Sequence, residues 1–286
     1  MQIITSRIEL ENHLDHLRGT GKSIGLVPTM GFLHKGHISL IERAVDENDF
    51  VVTTIFVNPL QFAAHEDLST YPRDIEQDSA LCEQAGTSII FAPEVHEMFS
   101  DTVLTSITVN TLSAVLEGVS RPTHFAGVAT VVSKIFNVVG PCNSYFGEKD
   151  WQQLQIIKKM VDDLSYRVNV IGCPIIRDND GLALSSRNIY LSDEERNQAS
   201  IIPQTLKNAH LKIKSGENST QEIKNLIYDQ LQEKRLISVD YVALVDSDSL
   251  EPVTEIDEKT RILVAVRIGS ARLIDNINAH SGVFSS

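Results

Sequence analysis

The chain has 286 residues, 42% of them hydrophobic and 22% charged, with a formal net charge of −13. That balance specifies a packed core rather than a disordered chain, and the acidic surplus argues against DNA, RNA or an anionic membrane as the main partner. A small anion in a locally basic pocket remains compatible with it.

No apolar run approaches the ~20 residues of a membrane span, and the first residues lack the charged-then-apolar pattern of a secretory signal. Cys82, Cys142 and Cys173 are too scattered for a zinc pattern or a disulfide framework, which favours a reducing cytosol.

In chain order, Gln2 to Ile4 reads as a short strand. Ser6 with Glu9 fits a capping box, opening a helix with Leu10, Leu14 and Leu17 on one face. Ile24 to Val27 reads as a buried strand ended by Pro28. From His37 the pattern is helical, with Leu40, Ile41, Ala44 and Val45 on one face. Phe50 to Val57 is an apolar run suited to a parallel strand covered on both sides. Strand, loop, helix and strand follow within about forty residues, the unit of an α/β sheet.

The alternation continues with a helix at Asp74 to Ala85, a strand at Ser88 to Phe91 and a weaker strand at Thr105 to Val109. Phe125 to Val139 predicts an internal helix, and Asn143 to Phe146 a short strand. Asp150 to Leu164 predicts a helix with Leu154, Ile157, Met160, Val161 and Leu164 in the core, and Val168 to Cys173 a further strand. The sum is a doubly wound parallel sheet. Beyond about residue 178 the composition shifts to one long polar helix from Ser192 to about Lys214, a second helix from Glu222 to Lys234, and half-buried strands at Val239 to Val245 and Arg261 to Ile268. This predicts two domains, residues 1–177 and a smaller α+β domain, 178–286.

Four segments carry candidate chemistry. Gly25 to His37 ends the first central strand and holds Gly31, His34, Lys35, Gly36 and His37. The unpaired N–H groups of a helix start attract phosphate, and the two imidazoles sit three residues apart on one side of it. The competing readings are a plain surface turn and, less well supported, a two-histidine zinc site lacking a third ligand. Asn58 and Gln61 follow the second central strand, where ligands of open sheets bind. They either orient a polar substrate or cap their own turn.

Phe146 to Gln153 repeats the strand-end, glycine, charge and helix-start order. Lys149 suits a phosphate, Asp150 a ribose hydroxyl or a helix cap, and Gln153 the same cleft; a capped surface helix is the plain alternative. Ser185, Ser186 and Arg187, after Leu184, suit a phosphate chain at a domain junction or a solvated linker. Arg121, ahead of the apolar helix, suits an anion or a partner subunit.

Taken together, these stretches resemble the pantothenate synthetase, or pantoate–β-alanine ligase, family. The matching residues are Val27-Pro28-Thr29-Met30-Gly31 with His34-Lys35-Gly36-His37, Phe56-Val57-Asn58-Pro59 with Gln61-Phe62, Tyr71-Pro72-Arg73, Arg121 to Phe125 with Gly127-Val128, Phe146 to Asp150 with Gln152-Gln153, and Ser185 to Asn188. The histidine pair alone is shared across the wider HIGH-motif nucleotidyltransferases; the ordered set over about residues 20 to 191 is specific.

The resemblance implies a Rossmann-like first domain and a cytoplasmic homodimer. It also implies ATP-dependent joining of (R)-pantoate to β-alanine through a pantoyl adenylate, with Mg²⁺ on the phosphates held by ligands the sequence leaves unassigned. It implies His37, His34, Lys149 and Arg187 as catalytic residues. ATP contacts fall to Met30, Gly31, Phe32, Leu33, His34, Lys35, Gly36 and His37, to Gly147, Glu148, Lys149 and Asp150, and to Ile176, Leu184, Ser185, Ser186 and Arg187. Gln61 and Gln153 hold pantoate, and Gln61 also borders β-alanine. Leu184 departs from the methionine of many relatives, a change of similar volume. A nucleotidyltransferase for a phosphorylated substrate would share the histidines without needing Gln61 and Gln153, and an acidic scaffold would need none of the four segments.

Overall fold

The computed structural model describes residues 1–63, 68–99 and 101–282. Two compact units emerge. The first comprises Met1–Glu148 and Gln152–Pro174, the second Lys149–Trp151 and Ile175–Ser286.

The first unit runs β1 (Gln2–Ile4), α1 (Arg7–Gly19), β2 (Ile24–Thr29), α2 (Lys35–Glu47), β3 (Phe50–Ile55), α3 (Ile75–Gln84), β4 (Ile89–Phe91), α4 (Val95–Met98), α5 (Glu117–Ser120), α6 (His124–Val139), β5 (Cys142–Gly147), α7 (Trp151–Asp163) and β6 (Val168–Cys173). Its strands form one parallel sheet in the order β1-β4-β3-β2-β5-β6. The chain winds outward from β2 through β3 and β4, then returns to the other side of β2 for β5 and β6. The reversal places the topological switch beside the carboxyl end of β2, where open α/β sheets bind ligands. Val27, Leu40, Ile41, Ala44, Val51, Ile90 and Tyr145 pack as one core under this point, which fixes the direction in which β2 delivers its following turn.

The second unit contains α8 (Asp193–Ala199), α9 (Ile201–Lys214), α10 (Thr220–Gln232), β7 (Ile237–Asp246), β8 (Thr260–Ile268) and β9 (Ala271–Asn278). The strands form an antiparallel sheet, β7-β8-β9. Leu206, Ile213, Ile223, Ile227, Leu244, Ile262 and Val264 build its core with the helices. Together the two units give a Rossmann-like parallel sheet and a smaller α+β body.

Several expectations change. Pro28 does not end β2, which continues to Thr29. Thr29 accepts from Phe56 of the β3 side at 3.1 Å. Pro28 therefore turns its nitrogen toward β5, beyond Leu26, the last residue paired there, and no ladder bond is lost. Ser6 caps α1 in position only, with no side-chain bond, so the Ser6–Glu9 box is absent.

Thr105 to Val109 is not a strand; the Ile107 N–H donates to Thr130 Oγ1 on α6 (2.9 Å) instead of to a ladder. Leu164 is exposed beyond the end of α7 rather than in the core. Helix α7 starts at Trp151, after a 3-10 turn at Glu148–Asp150. The long helix after Ser192 breaks at Ser200, because Pro203 fits only a first helical turn and would clash with the carbonyl of Ala199 in a continuous one. Strand β9 is an addition to the expected set.

The three cysteines are unpaired. Burial pushes the Cys82 thiol up to about 11 and the Cys142 thiol up to about 12, so both stay protonated near neutrality.

Candidate active site

The turn after β2 is fixed from beneath. The Thr29 hydroxyl donates to Thr54 O (2.6 Å) and accepts from Gly31 N (3.2 Å). Gly31 and Phe32 then take consecutive left-handed conformations, φ 81° and 51°, which for Phe32 costs about 1–2 kcal/mol. Asp78 of α3 offsets that cost. Its carboxylate, 1% exposed, accepts from Phe32 N at 2.8 Å and from Leu33 N at 2.7 Å. A Cβ at Gly31 would lie 2.8 Å from Asp78 Oδ2, so glycine is required by both conformation and contact. Burial holds the Asp78 carboxyl above the usual carboxylate range, while the two N–H bonds draw it back.

His34 is the N-cap of α2. Its Nδ1 accepts from Gly36 N (3.1 Å), and His37 Nδ1 accepts from His34 N (3.3 Å). The rings stack with centroids 4.0 Å apart. A ring nitrogen that accepts a backbone N–H carries no proton, so each neutral imidazole holds its proton on Nε2. The expected free backbone donors are thus largely engaged by the protein itself. The turn thus carries two stacked imidazoles, each with its proton on Nε2.

Beside it, Asn58 caps the 3-10 turn Pro59–Gln61, accepting from Leu60 N (3.2 Å). Its Nδ2 donates to Gln61 Oε1 and to Gly127 O, both at 3.1 Å. Asn58 is therefore a turn-capping amide. Gln61 is buried, and its Nε2 lies 2.9 Å from Met30 Sδ, so the turns after β2 and β3 touch through these two residues.

Arg121, ahead of α6, is tied to the histidine that follows it. Its Nη1 donates to His124 Nε2 (3.1 Å), which leaves the proton on Nδ1 to donate to Gln61 O (2.9 Å). Helix α6 comes close enough that a Cβ at Gly127 would sit 2.2 Å from Leu60 O. On α7, Gln152 is engaged with Leu112 O, Val115 O and Glu117 N; Gln153, one residue on, is half-buried and makes none of these bonds.

β5 ends beside β2 at Gly147, followed by the half-buried Glu148. Lys149 and the exposed Asp150 belong to the second unit, with Lys149 Nζ 3.7 Å from Asp150 Oδ1. In that unit Ile176 O accepts from Leu184 N (3.0 Å). The Ser185 hydroxyl accepts from Arg187 N (3.3 Å), capping the 3-10 turn Ser186–Tyr190. Among the described residues, no group of three His, Cys, Asp or Glu side chains is arranged to hold a metal ion, and no helix is long and apolar enough to cross a membrane.

Sequence reasoning missed Asp78, 45 residues from the turn it holds, because an acidic residue in a helix reads as solvated. It also missed His124 as the support of Gln61, although the stretch containing it stood out.

The chain matches the family model for pantoate-beta-alanine ligase over residues 2–278. It is similar to the pantothenate synthetase of Clostridium botulinum (strain Loch Maree / Type A3), at 47% identity over 276 residues, 96% of this chain and 98% of that one. It is also similar to that of Rhizobium etli, at 51% identity over 276 residues, 96% of this chain and 93% of the relative. The crystal structure of pantothenate synthetase from Thermus thermophilus superposes with a TM-score of 0.93 at 43% identity, covering 98% of this chain and 100% of that one. Pantoate-beta-alanine ligase from Francisella tularensis, complexed with beta-gamma ATP and beta-alanine, gives a TM-score of 0.79 at 34% identity over 98% of each chain.

Proposed function

Because the chain belongs to the pantoate–beta-alanine ligase family, we propose that the turns after β2, β3 and β5 carry its reaction. That reaction is the ATP-dependent condensation of pantoate with β-alanine to pantothenate. The pantoate carboxylate attacks the α-phosphorus of ATP, and the bond to the bridging oxygen breaks to release pyrophosphate. The β-alanine amine then attacks the acyl carbon of pantoyl adenylate, loses a proton and expels AMP. Adenylation is needed because a free carboxylate is a poor acyl donor.

His34 and His37 face the ATP phosphates through Nε2–H, and His37 donates to the charge that builds as pyrophosphate departs. The observation that carries this reading is the Nδ1 bonding of both rings, which leaves the proton of each on Nε2. Met30 to Gly36 border the nucleotide with their backbone. Gln61 and Gln153 orient pantoate, with Gln61 also bordering β-alanine; an amide can donate to a carboxylate and accept from a hydroxyl or an amine without adding charge. Lys149 neutralises phosphate charge, assisted by Ser185, Ser186 and Arg187. Gly147, Glu148, Asp150, Ile176 and Leu184 complete the nucleotide contacts.

Mg²⁺ accompanies ATP in this reading and would neutralise phosphate charge when bound, with its protein ligands unassigned; no step here depends on it. A cytoplasmic homodimer belongs to the same proposal, and equilibrium sedimentation of the purified protein checks the dimer.

The test is AMP and pyrophosphate release with pantoate, β-alanine and ATP, with each omitted in turn. Pantoate with ATP alone gives a single turnover of pyrophosphate, and AMP release requires β-alanine. A folded His37→Ala variant is expected to lose about 10²-fold or more in the adenylation rate. Full adenylation by that variant would remove His37 from the mechanism.

A further inference from the structure

The main chain of Lys149, one of the proposed nucleotide contacts, is supported by buried side chains of the second unit. Within the second unit, Asn276 of β9 donates from Nδ2 to Lys149 O at 2.9 Å. Asn276 is itself held on two sides. Its Oδ1 accepts from Arg261 Nε at 2.8 Å, and its N–H donates to Asp275 Oδ1 at 2.8 Å. The Arg261 guanidinium lies over the Trp151 ring, 3.5 Å from its centroid, and the Trp151 indole N–H donates to Ser247 O at 2.9 Å. Arg261 is 7% exposed and Asn276 2%. The tripeptide Lys149–Trp151 is thus gripped at both ends, by an amide at the first carbonyl and by a stacked cation and a carbonyl at the third side chain.

Keeping an arginine buried is costly unless its donors and its flat face are used. Here the flat face is used on Trp151, and the Nε–H on Asn276, the residue that holds Lys149 O. A short 3-10 turn has few bonds of its own to fix the direction of a lysine side chain. The external grip supplies that direction.

We propose that Arg261 and Asn276, with Trp151 as the strut between them and the turn, are positioning residues for Lys149 in the adenylation step. They act through the Lys149 main chain and not by contact with substrate. The proposal rests on the reading of Lys149 as a phosphate-facing residue, and the experiment separates the two.

Pantoate-dependent pyrophosphate release is measured for Lys149→Met, Asn276→Ala, Arg261→Ala, Arg261→Lys and the double variant Lys149→Met/Asn276→Ala, each checked for native circular dichroism. The expected result is a fall of about tenfold or more in kcat/KM for ATP in Asn276→Ala and Arg261→Ala. The KM for β-alanine stays within about twofold. Arg261→Lys gives no rescue, since an ammonium has neither the planar face nor the Nε–H. The double variant is no worse than Lys149→Met alone, because residues acting through one group are non-additive.

Additive losses, or wild-type adenylation in the Asn276 and Arg261 variants while Lys149→Met is impaired, overturn the positioning role. Wild-type adenylation by Lys149→Met overturns the reading of Lys149 and this inference with it. If Arg261→Ala fails to fold, Trp151→Phe, which keeps the aromatic face but lacks the donor to Ser247, takes its place with the same expectation and the same overturning outcomes. Trp151 is the chain's single tryptophan, so its emission reports directly whether the strut is intact in every variant that keeps it.

Discussion

Asp78 shows how one buried side chain can hold the turn after β2 from a helix distant in sequence. It supplies two acceptors to Phe32 and Leu33 and packs against the position that only Gly31 can fill. Its carboxyl binds a proton more tightly in the folded protein than in the unfolded chain, since burial raises it. A raised carboxyl of this kind favours folding most at low pH. Stability then declines as pH rises from the ordinary aspartate range, about 3.9, through the folded value. Asp78→Asn removes that slope and turns one acceptor into a donor, leaving Phe32 or Leu33 N–H without its partner at a cost of about 1–3 kcal/mol. Thermal melts from pH 4 to 8 are expected to show the variant less stable at low pH, with the gap narrowing as pH rises. The KM for ATP is expected to increase in parallel. A gap that widens with pH would contradict this account of Asp78.

At the scale of elements, the close seating of α6 on the turn after β3 decides where Gln61 sits. Gly127 meets Leu60 O and Gln61 N so closely that any Cβ must displace one of them. Gly127→Ala is expected to raise the KM for pantoate about tenfold or more and to destabilise the protein by about 1–3 kcal/mol; steady-state kinetics and chemical denaturation check both numbers. Much of this framework was legible in advance. The strands of the parallel sheet announced themselves as short apolar runs, and the histidine pair by its place at a strand-to-helix junction. The misreadings share a cause, in that a neighbour distant in sequence altered the local rule. Pro28 continues a strand because its nitrogen faces no partner, and Thr105 to Val109 is held by a threonine on α6. Asp78 and Asn276 were invisible for the same reason. Their targets, Leu33 and Lys149, lie 45 and 127 residues away. Strand β9 did carry a local signal, the Ala271-Arg272-Leu273-Ile274 stretch after the Gly269 turn, which went unread.

At the scale of the whole molecule, a buried ion pair ties the beginning of the second unit's main segment to its last strand. Arg177, two residues after the chain re-enters that unit at Ile175, makes a bidentate contact with Asp275 on its last strand, at 2.6 and 2.9 Å and 98 residues apart in sequence. The side chains are 3% and 1% exposed. Breaking such a pair from one side leaves an uncompensated charge, so Asp275→Ala is expected to lose about 3–5 kcal/mol, read by urea denaturation. Loss of less than about 1 kcal/mol would show that the pair is not what ties these segments together. The strand order of the first unit has a different kind of consequence, one of timing. β1 pairs with β4, so Gln2 finds its register partner only at Ile89. β2 and β3, by contrast, pair across a single helix. During synthesis the first strand to emerge must wait for nearly ninety residues before it has anywhere to dock, while the sheet grows outward from β2. Strand β1 is expected to be the last part of that sheet to gain amide protection in a pulse-labelled refolding experiment, although it precedes every other strand of the sheet in sequence.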